Sequence, residues 1–186
     1  MNDSVHFAEY SVTKKYEGAY ARKRLLAILL YIICPIVVSV LCIWWMGWIA
    51  VVWLVPFGVT FLAFIVRKTY GRFFKIEYDY RIAAGEMEIA EVYDKKARKV
   101  ILTAKIADFE TIAPYRDEYR AACDKGTYDR VIESVSSLKA PHVYFGVYPD
   151  PDKPSSKTLV YFEPTTALLR LISKFNRKTV VDELPF

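Results

Sequence analysis

The sequence predicts an α+β membrane protein: a transmembrane helical hairpin, then about seven antiparallel strands, then one closing helix. Three observations support this prediction. Residues 25–66 contain no Asp, Glu, Lys, Arg or His. The segment that follows alternates apolar and polar residues with a period of two, which is typical of half-buried strands. Near the C-terminus the apolar period becomes that of an amphipathic helix.

The uncharged run of 42 residues is too long for one membrane crossing. As a straight helix it would extend about 63 Å, whereas the hydrocarbon of a bilayer is about 30 Å thick. Two spans at about 25–43 and 49–66 fit this thickness, with a turn near Gly47. Tryptophan favours the membrane interface, where the indole ring meets both lipid and water. Trp44, Trp45 and Trp48 are therefore expected to anchor the turn at the outer interface.

Basic residues flank the run on both sides, while the predicted turn carries no charge. This distribution predicts a multi-pass protein of the cytoplasmic (inner) membrane with both termini in the cytoplasm. The residues expected at the membrane interface, and so facing lipid, are Arg22, Lys23, Arg24, Arg67, Lys68, Arg72 and Lys75. They set the topology, and whether they also attract anionic lipid stays open at this point.

The net charge of +5 lies next to the apolar run. Residues 1–24 carry +2 and residues 67–75 carry +4, whereas everything from residue 76 onward carries −1. A nucleic-acid-binding domain gathers basic residues on its own surface. The sequence therefore predicts no nucleic-acid partner.

Residues 67–178 are predicted to form one cytoplasmic domain, between an N-terminal segment 1–24 and a C-terminal tail 179–186. Within it, strands are expected at 73–82, 86–94, 99–104, 108–115, 130–137, 142–149 and 158–163. A bulge is expected near Val92, and 116–129 is expected to be a loop with one helical turn. Pro164 and Thr165 are helix-start signals before an apolar face with i, i+3, i+4 spacing. Residues 1–20 are either loosely ordered or add an edge strand.

The segment EYDYRIAAGEMEIAEVYDKKARKVILTAKIADFETIAP (77–114) is similar to the opening strands of bacterial pleckstrin-homology (PH)-like domains. With the two spans before it, the chain resembles small bacterial membrane proteins that carry a C-terminal PH-like domain. The resemblance implies a PH-like seven-stranded sheet or barrel capped by a helix. Phosphoinositide-reading PH domains resemble one another in a basic loop between their first two strands. Taken as residues 83–85, that loop is uncharged here, which argues against phosphoinositide recognition.

No residue pattern predicts catalysis. The only histidines are His6 and His142, no cysteine pair has metal-ligand spacing, and Cys123 has no predicted base. We therefore expect no enzyme, no catalytic residue, no metal and no cofactor.

The expected role is that of a binding or scaffolding module held at the bilayer, with a membrane or cytoplasmic protein as partner and possible homo-oligomerisation. Tyr144, Phe145 and Tyr148 form a candidate partner surface if they are exposed. Two alternatives stay open. The domain could contact anionic lipid, or Pro35 and Pro56 could help the helices pack into a transporter as an accessory subunit.

Overall fold

The computed structural model describes residues 7–70, 75–93, 95, 97–150 and 153–180. The chain divides into two units. One unit is helical and comprises Tyr16–Ile76, and the other comprises the residues up to Lys15 together with Glu77–Phe186. The second unit holds the strands, so it is assembled from two separate parts of the sequence.

The helical unit contains two helices that pack against each other. Helix α1 is Gly18–Met46 and helix α2 is Trp48–Tyr70. Gly47 separates them with a φ of 68°, a conformation that favours glycine. The predicted break at this glycine is therefore found. In each helix a hydroxyl four residues after a proline donates to the proline carbonyl: Ser39 to Pro35 (2.8 Å) and Thr60 to Pro56 (2.7 Å).

Helix α1 has the length and composition of a membrane span over Gly18–Trp45. Its apolar side chains are mostly exposed, as a hydrocarbon environment would require. Within the described side chains of α2, the apolar stretch Pro56–Ile65 is shorter than a span.

The first sheet, sheet A, has the strand order β1-β2-β3-β4. Its strands are β1 Phe7–Thr13, β2 Ile76–Ala83, β3 Glu86–Tyr93 and β4 Ala97–Lys105. Strand β1 pairs antiparallel with β2 from Phe7↔Ala83 to Thr13↔Glu77 without a register shift. The N-terminal segment thus adds an edge strand. The register between β3 and β4 shifts at Ile89/Ala90, where Ile101 of β4 is the extra residue, so the bulge lies on β4 and not on β3 near Val92 as expected.

The second sheet, sheet B, has the order β5-β7-β8-β6. Its strands are β5 Thr111–Pro114, β6 Arg130–Ser134, β7 Tyr144–Asp150 and β8 Lys153–Phe162. Strand β6 is parallel to β8, and the other pairs are antiparallel. The described strands therefore form two four-stranded sheets without a closed barrel. The expectation of seven antiparallel strands is wrong, because β1 comes from before the helices and the β6–β8 pair is parallel.

Three short helices complete the sheet unit. A 3-10 helix at Ile106–Asp108 precedes β5, α3 (Asp117–Lys125) lies between β5 and β6, and α4 is Thr166–Phe175. The Thr165 side chain caps α4 by accepting from the Leu168 N–H at 3.4 Å. Helix α3 replaces the expected loop, and β8 begins at Lys153 instead of at the expected residue 158.

The position of β1 also changes the assignment of the loop between the first two strands. Residues 83–85 join β2 to β3, the second and third strands of the sheet. The connection between the first two strands is the helical unit itself. The uncharged turn at 83–85 therefore has no bearing on the loop used by phosphoinositide-reading PH domains.

Candidate functional site

One end of sheet A carries both connections to the helical unit. Because Thr13 pairs with Glu77, β1 leaves the sheet where β2 enters it. Strand β3 returns to this same end after a two-residue turn at Ala84 and Gly85, since a tight turn joins antiparallel strands. The turn between β3 and β4 therefore lies at this end too.

Basic residues gather at this end of sheet A. We call the following group the basic end: Lys14, Lys15, Lys95, Arg98 and Lys99. Lys15, Lys95, Arg98 and Lys99 are exposed. The Lys14 side chain donates to the Tyr78 hydroxyl (3.0 Å), and the Arg98 side chain pairs with Glu88 (2.7 Å). The basic end therefore presents positive charge beside the residues that lead into α1.

A hydrogen-bond network fixes the exit of β1. The Lys15 N–H donates to the Ser136 carbonyl (2.9 Å), in the loop that follows β6. One carboxylate oxygen of Glu163 accepts from the Ser136 N–H (2.6 Å) and the Ser136 hydroxyl (2.7 Å). Tyr80 donates to the Ser134 carbonyl. Charge-assisted bonds to one carboxylate are stronger than neutral ones, so this loop is held firmly beside β1.

The predicted lipid-facing residues lie on the helical unit. Arg22 and Lys23 in the first turns of α1 are exposed, as are Arg67 and Lys68 in the last turn of α2. The Arg24 guanidinium stacks on the Tyr16 ring, with its central carbon 3.6 Å from the ring centroid.

Two further predictions concern the ends of the helices. Lys75 is half-buried just before β2, whereas Arg72 lies outside the described residues. Trp44 and Trp45 are 79% and 83% exposed, and Trp48 begins α2. Their contact with lipid stays a prediction.

The expected exposed aromatic row on β7 is not found. Tyr144, Phe145 and Tyr148 are all buried, with exposed fractions of 1–8%. Tyr144 packs near Phe162 with ring centroids 6.3 Å apart, and Tyr148 packs near Phe109 at 5.3 Å. The prediction of a partner surface there is wrong because sheet B is covered on both faces.

Helix α3 covers the outer face of sheet B and encloses Cys123. The Cys123 sulfur lies 3.6 Å from the Tyr161 hydroxyl, and Tyr115 meets Tyr161 edge-on at 5.1 Å. Burial raises the pKa of the Cys123 thiol. A reactive cysteine needs a lowered pKa, so this thiol has the properties of a core residue.

Within the described residues, no group of three or more His, Cys, Asp or Glu side chains is placed to hold a metal ion. The exposed apolar side chains of the sheet unit include Val100 on β4 and Val131 on β6. Arg130 links these two strands by donating to the Ile101 carbonyl (3.0 Å). We call Val100, Ile101, Arg130 and Val131 the β4–β6 surface. Sequence reasoning missed it, because its parts are joined only by the packing of the two sheets.

The sheet unit thus has two four-stranded sheets followed by a C-terminal helix, with charged and apolar residues exposed on its surface. The chain belongs to the family described as Bacterial PH-like domain (DUF6106), whose model matches residues 2–182. The match includes β1, both long helices and α4, so the family takes in the helical unit as well as the sheets. Comparison with curated proteins gives no significant match, and neither does comparison with solved structures.

Proposed function

We propose that this chain is a membrane-anchored, non-catalytic PH-like module that spans the membrane twice and binds another protein at the cytoplasmic face. The pairing of β1 with β2 is the observation that supports it most strongly. Strand β1 precedes α1 and β2 follows α2, yet they pair residue by residue from Phe7↔Ala83 to Thr13↔Glu77. A bilayer cannot separate two hydrogen-bonded strands, so the chain between them crosses the membrane an even number of times.

This even number favours two spans. Helix α1 meets the length and composition of a span. If α1 crosses, α2 has to return the chain to the side that holds β1. The 23 residues of α2 are long enough at 1.5 Å per residue. Basic residues at the start of α1 and the end of α2 favour the cytoplasmic side for the sheet unit and both termini.

The β4–β6 surface is the proposed contact for a protein partner. Val100 and Val131 are 48% and 52% exposed, and the Arg130 side chain donates to the Ile101 carbonyl of β4. An apolar centre with charged neighbours is typical of protein contacts. Because Tyr144, Phe145 and Tyr148 are buried, they do not offer another surface for the partner.

Site-specific photo-crosslinking in the native membrane tests this function. A photoreactive residue at Val131, or at Val100, is expected to form one discrete adduct with the same partner protein. Glu118 on α3 is an exposed control position that is expected to give no such adduct. Charging the surface with Val100→Glu should remove the adduct formed at 131. Adducts of equal yield at 118 and 131 would contradict a specific partner surface.

A second candidate function is contact with anionic lipid, and the basic end favours it. Only four residues separate the end of β1 at Thr13 from the start of α1 at Gly18. Each Lys or Arg near an anionic leaflet contributes about 1 kcal/mol of attraction. In nanodiscs, anionic lipid is then expected to slow hydrogen exchange at residues 95–99 relative to neutral lipid. Lys99→Glu should reduce this protection, whereas Lys125→Glu on α3 should not. Equal exchange in both lipids would exclude this function.

A further inference from the structure

The two sheets have four edge strands, and they differ in how their outer backbone groups are protected. An edge strand presents unpaired N–H and C=O groups that can pair with another strand, and proteins usually cover or charge such edges. The edge strands here are β1 and β4 in sheet A, and β5 and β6 in sheet B.

Three of these edges are protected. The C-terminal segment covers β5, since Thr179 bridges to Ile112 and the Val180 N–H donates to the Ile112 carbonyl at 2.9 Å. Strand β4 carries the basic residues Arg98, Lys99 and Lys105, and Arg130 occupies its Ile101 carbonyl. Strand β6 has only five residues, of which Arg130 and Glu133 are charged.

Strand β1 is less protected, because the loop after β6 meets the chain at Lys15, two residues beyond the end of the strand. Its seven residues, FAEYSVT, contain no Pro, Gly, Lys or Arg, and its pairing with β2 has no bulge. In the described part of the chain no strand pairs with its outer side. Helix α4 approaches β1, yet five of the seven side chains stay exposed: Phe7, Glu9, Tyr10, Ser11 and Thr13. A continuous, nearly uncharged edge of this length is suited to strand pairing.

We propose that β1 pairs antiparallel with β1 of a second copy of this chain, so that two copies of sheet A become one eight-stranded sheet. The strand is self-complementary about Tyr10. Antiparallel pairing centred there places Phe7 opposite Thr13, Ala8 opposite Val12 and Glu9 opposite Ser11. The two Tyr10 side chains meet at the two-fold axis.

This register contains no like-charge pair and several favourable ones. The only charged residue of the strand, Glu9, lies opposite a serine hydroxyl in the partner copy. Cross-strand aromatic pairs stabilise antiparallel sheets, and the two Tyr10 side chains, 40% exposed, would form one. An isologous contact of this kind closes after two copies, which limits the assembly to a dimer at this edge.

Charge changes at positions 9 and 11 test the register in the full chain. The dissociation constant of the dimer is measured by diluting the protein in nanodiscs or detergent and determining the mass of the particles at each concentration. Ser11→Lys places Lys opposite Glu9 twice and is expected to tighten the dimer about fivefold. Glu9→Lys alone creates no new charge pair between the copies and serves as the matched control. The double variant E9K/S11K places Lys opposite Lys and should weaken the dimer about fivefold relative to E9K.

Comparison of the wild type with these three variants separates the effect of pairing between copies from any effect on folding inside one copy. Within a copy, position 9 faces Arg81 and position 11 faces Asp79, so the single variants report any change in folding. A Tyr10→Cys variant without the three native cysteines should form a disulfide-linked dimer at the two-fold axis. A chain that stays monomeric at all concentrations would overturn the proposal. So would a dimer that responds equally to Ser11→Lys in the wild-type and E9K backgrounds, because another surface would then hold the copies together.

Discussion

At the scale of single residues, the buried tyrosines of β2 have the clearest energetic consequence. Tyr80 is fully buried; its hydroxyl donates to the Ser134 carbonyl and accepts from the Glu163 N–H at 3.3 Å. Burial raises the pKa of both Tyr78 and Tyr80 above the ordinary value. The period-2 pattern predicted that both side chains would face the core. The partner of the Tyr80 hydroxyl lies 54 positions away, so no local pattern could identify it.

The raised tyrosine pKa values predict a loss of stability in alkali. The folded chain retains protons that the unfolded chain releases near pH 10. The stabilisation that the raised tyrosine pKa values provide is therefore complete below about pH 10 and is lost as the pH rises above it. Urea midpoints at pH 8 and pH 10.5 should show a lower free energy of unfolding at the higher pH. Tyr80→Phe should reduce this difference, and an unchanged difference would contradict the assignment to Tyr80.

Ala84 offers a second residue-scale prediction. Both central residues of the β2–β3 turn have positive φ, 51° at Ala84 and 86° at Gly85. This combination is the type I′ turn, which favours Asn-Gly or Gly-Gly, and a left-handed alanine costs about 1–2 kcal/mol. Ala84→Gly is expected to stabilise the chain by about 0.5–1 kcal/mol after the entropy of glycine is subtracted.

Denaturant midpoints of the two proteins measure this effect. Gly85→Ala is the opposite control, because it has a positive φ and its added Cβ would lie 3.1 Å from the Phe175 ring. That variant should be destabilised. A lower midpoint for Ala84→Gly would show that the turn does not hold Ala84 under strain.

At the scale of elements, the close approach of β7 to the 3-10 helix segment depends on Gly146. A Cβ added at Gly146 would lie 2.8 Å from two ring carbons of Phe109, which is fully buried. Gly146→Ala is expected to cost about 1–3 kcal/mol, the usual range for overpacking a core. The free energy of unfolding measures this cost. The double variant with Phe109→Leu should recover part of it, and strict additivity of the two changes would contradict the contact.

The elements also show where sequence patterns carried information. The alternation in 73–82 predicted β2, and the helix-start signals at Pro164 and Thr165 predicted α4, because these signals lie within a few adjacent residues. Helix α3 was predicted to be a loop with one turn, since the segment 116–129 is polar, with four acidic and three basic residues. Only tertiary packing against Tyr161 and its neighbours gives α3 a buried side, at Cys123. The prediction of an exposed aromatic row on β7 was likewise wrong because of tertiary packing, which buries Phe145 in the cluster beside α3 and places Tyr148 against Phe109.

At the scale of the whole molecule, the sheet unit is discontinuous, and the helical unit is an insertion between its first two strands. The alternation in HFAEYSV left an edge strand possible, but its partner lies beyond the entire apolar run. Strand pairing across such a distance leaves no periodic trace in the sequence. The basic end and the β4–β6 surface could not be predicted for the same reason, because their residues come from different strands that are distant in the sequence.

This architecture predicts that β1 is required for the sheet unit to fold. A fragment that begins at residue 70 lacks β1, so it exposes the edge of β2 and loses the stacked Tyr10–Tyr80 pair, whose centroids are 6.4 Å apart. We expect it to unfold without a cooperative transition or to aggregate. The matched protein retains residues 1–15 joined to Glu77 by a short flexible linker, since Thr13 and Glu77 are paired neighbours. Thermal unfolding monitored by circular dichroism compares the two, and equal stability would contradict the role of β1.

The topology of the helical unit is the most direct test of the account. Single cysteines at Trp45 and at Lys95, in a chain without the three native cysteines, are treated with a membrane-impermeant maleimide on intact and permeabilised cells. Cys at position 45 is expected to react on intact cells, because the turn between α1 and α2 faces outward in the proposed topology. Cys at position 95 should react only after permeabilisation. Labelling of both positions on the same side of the membrane would contradict a twice-spanning hairpin inserted into a cytoplasmic PH-like domain.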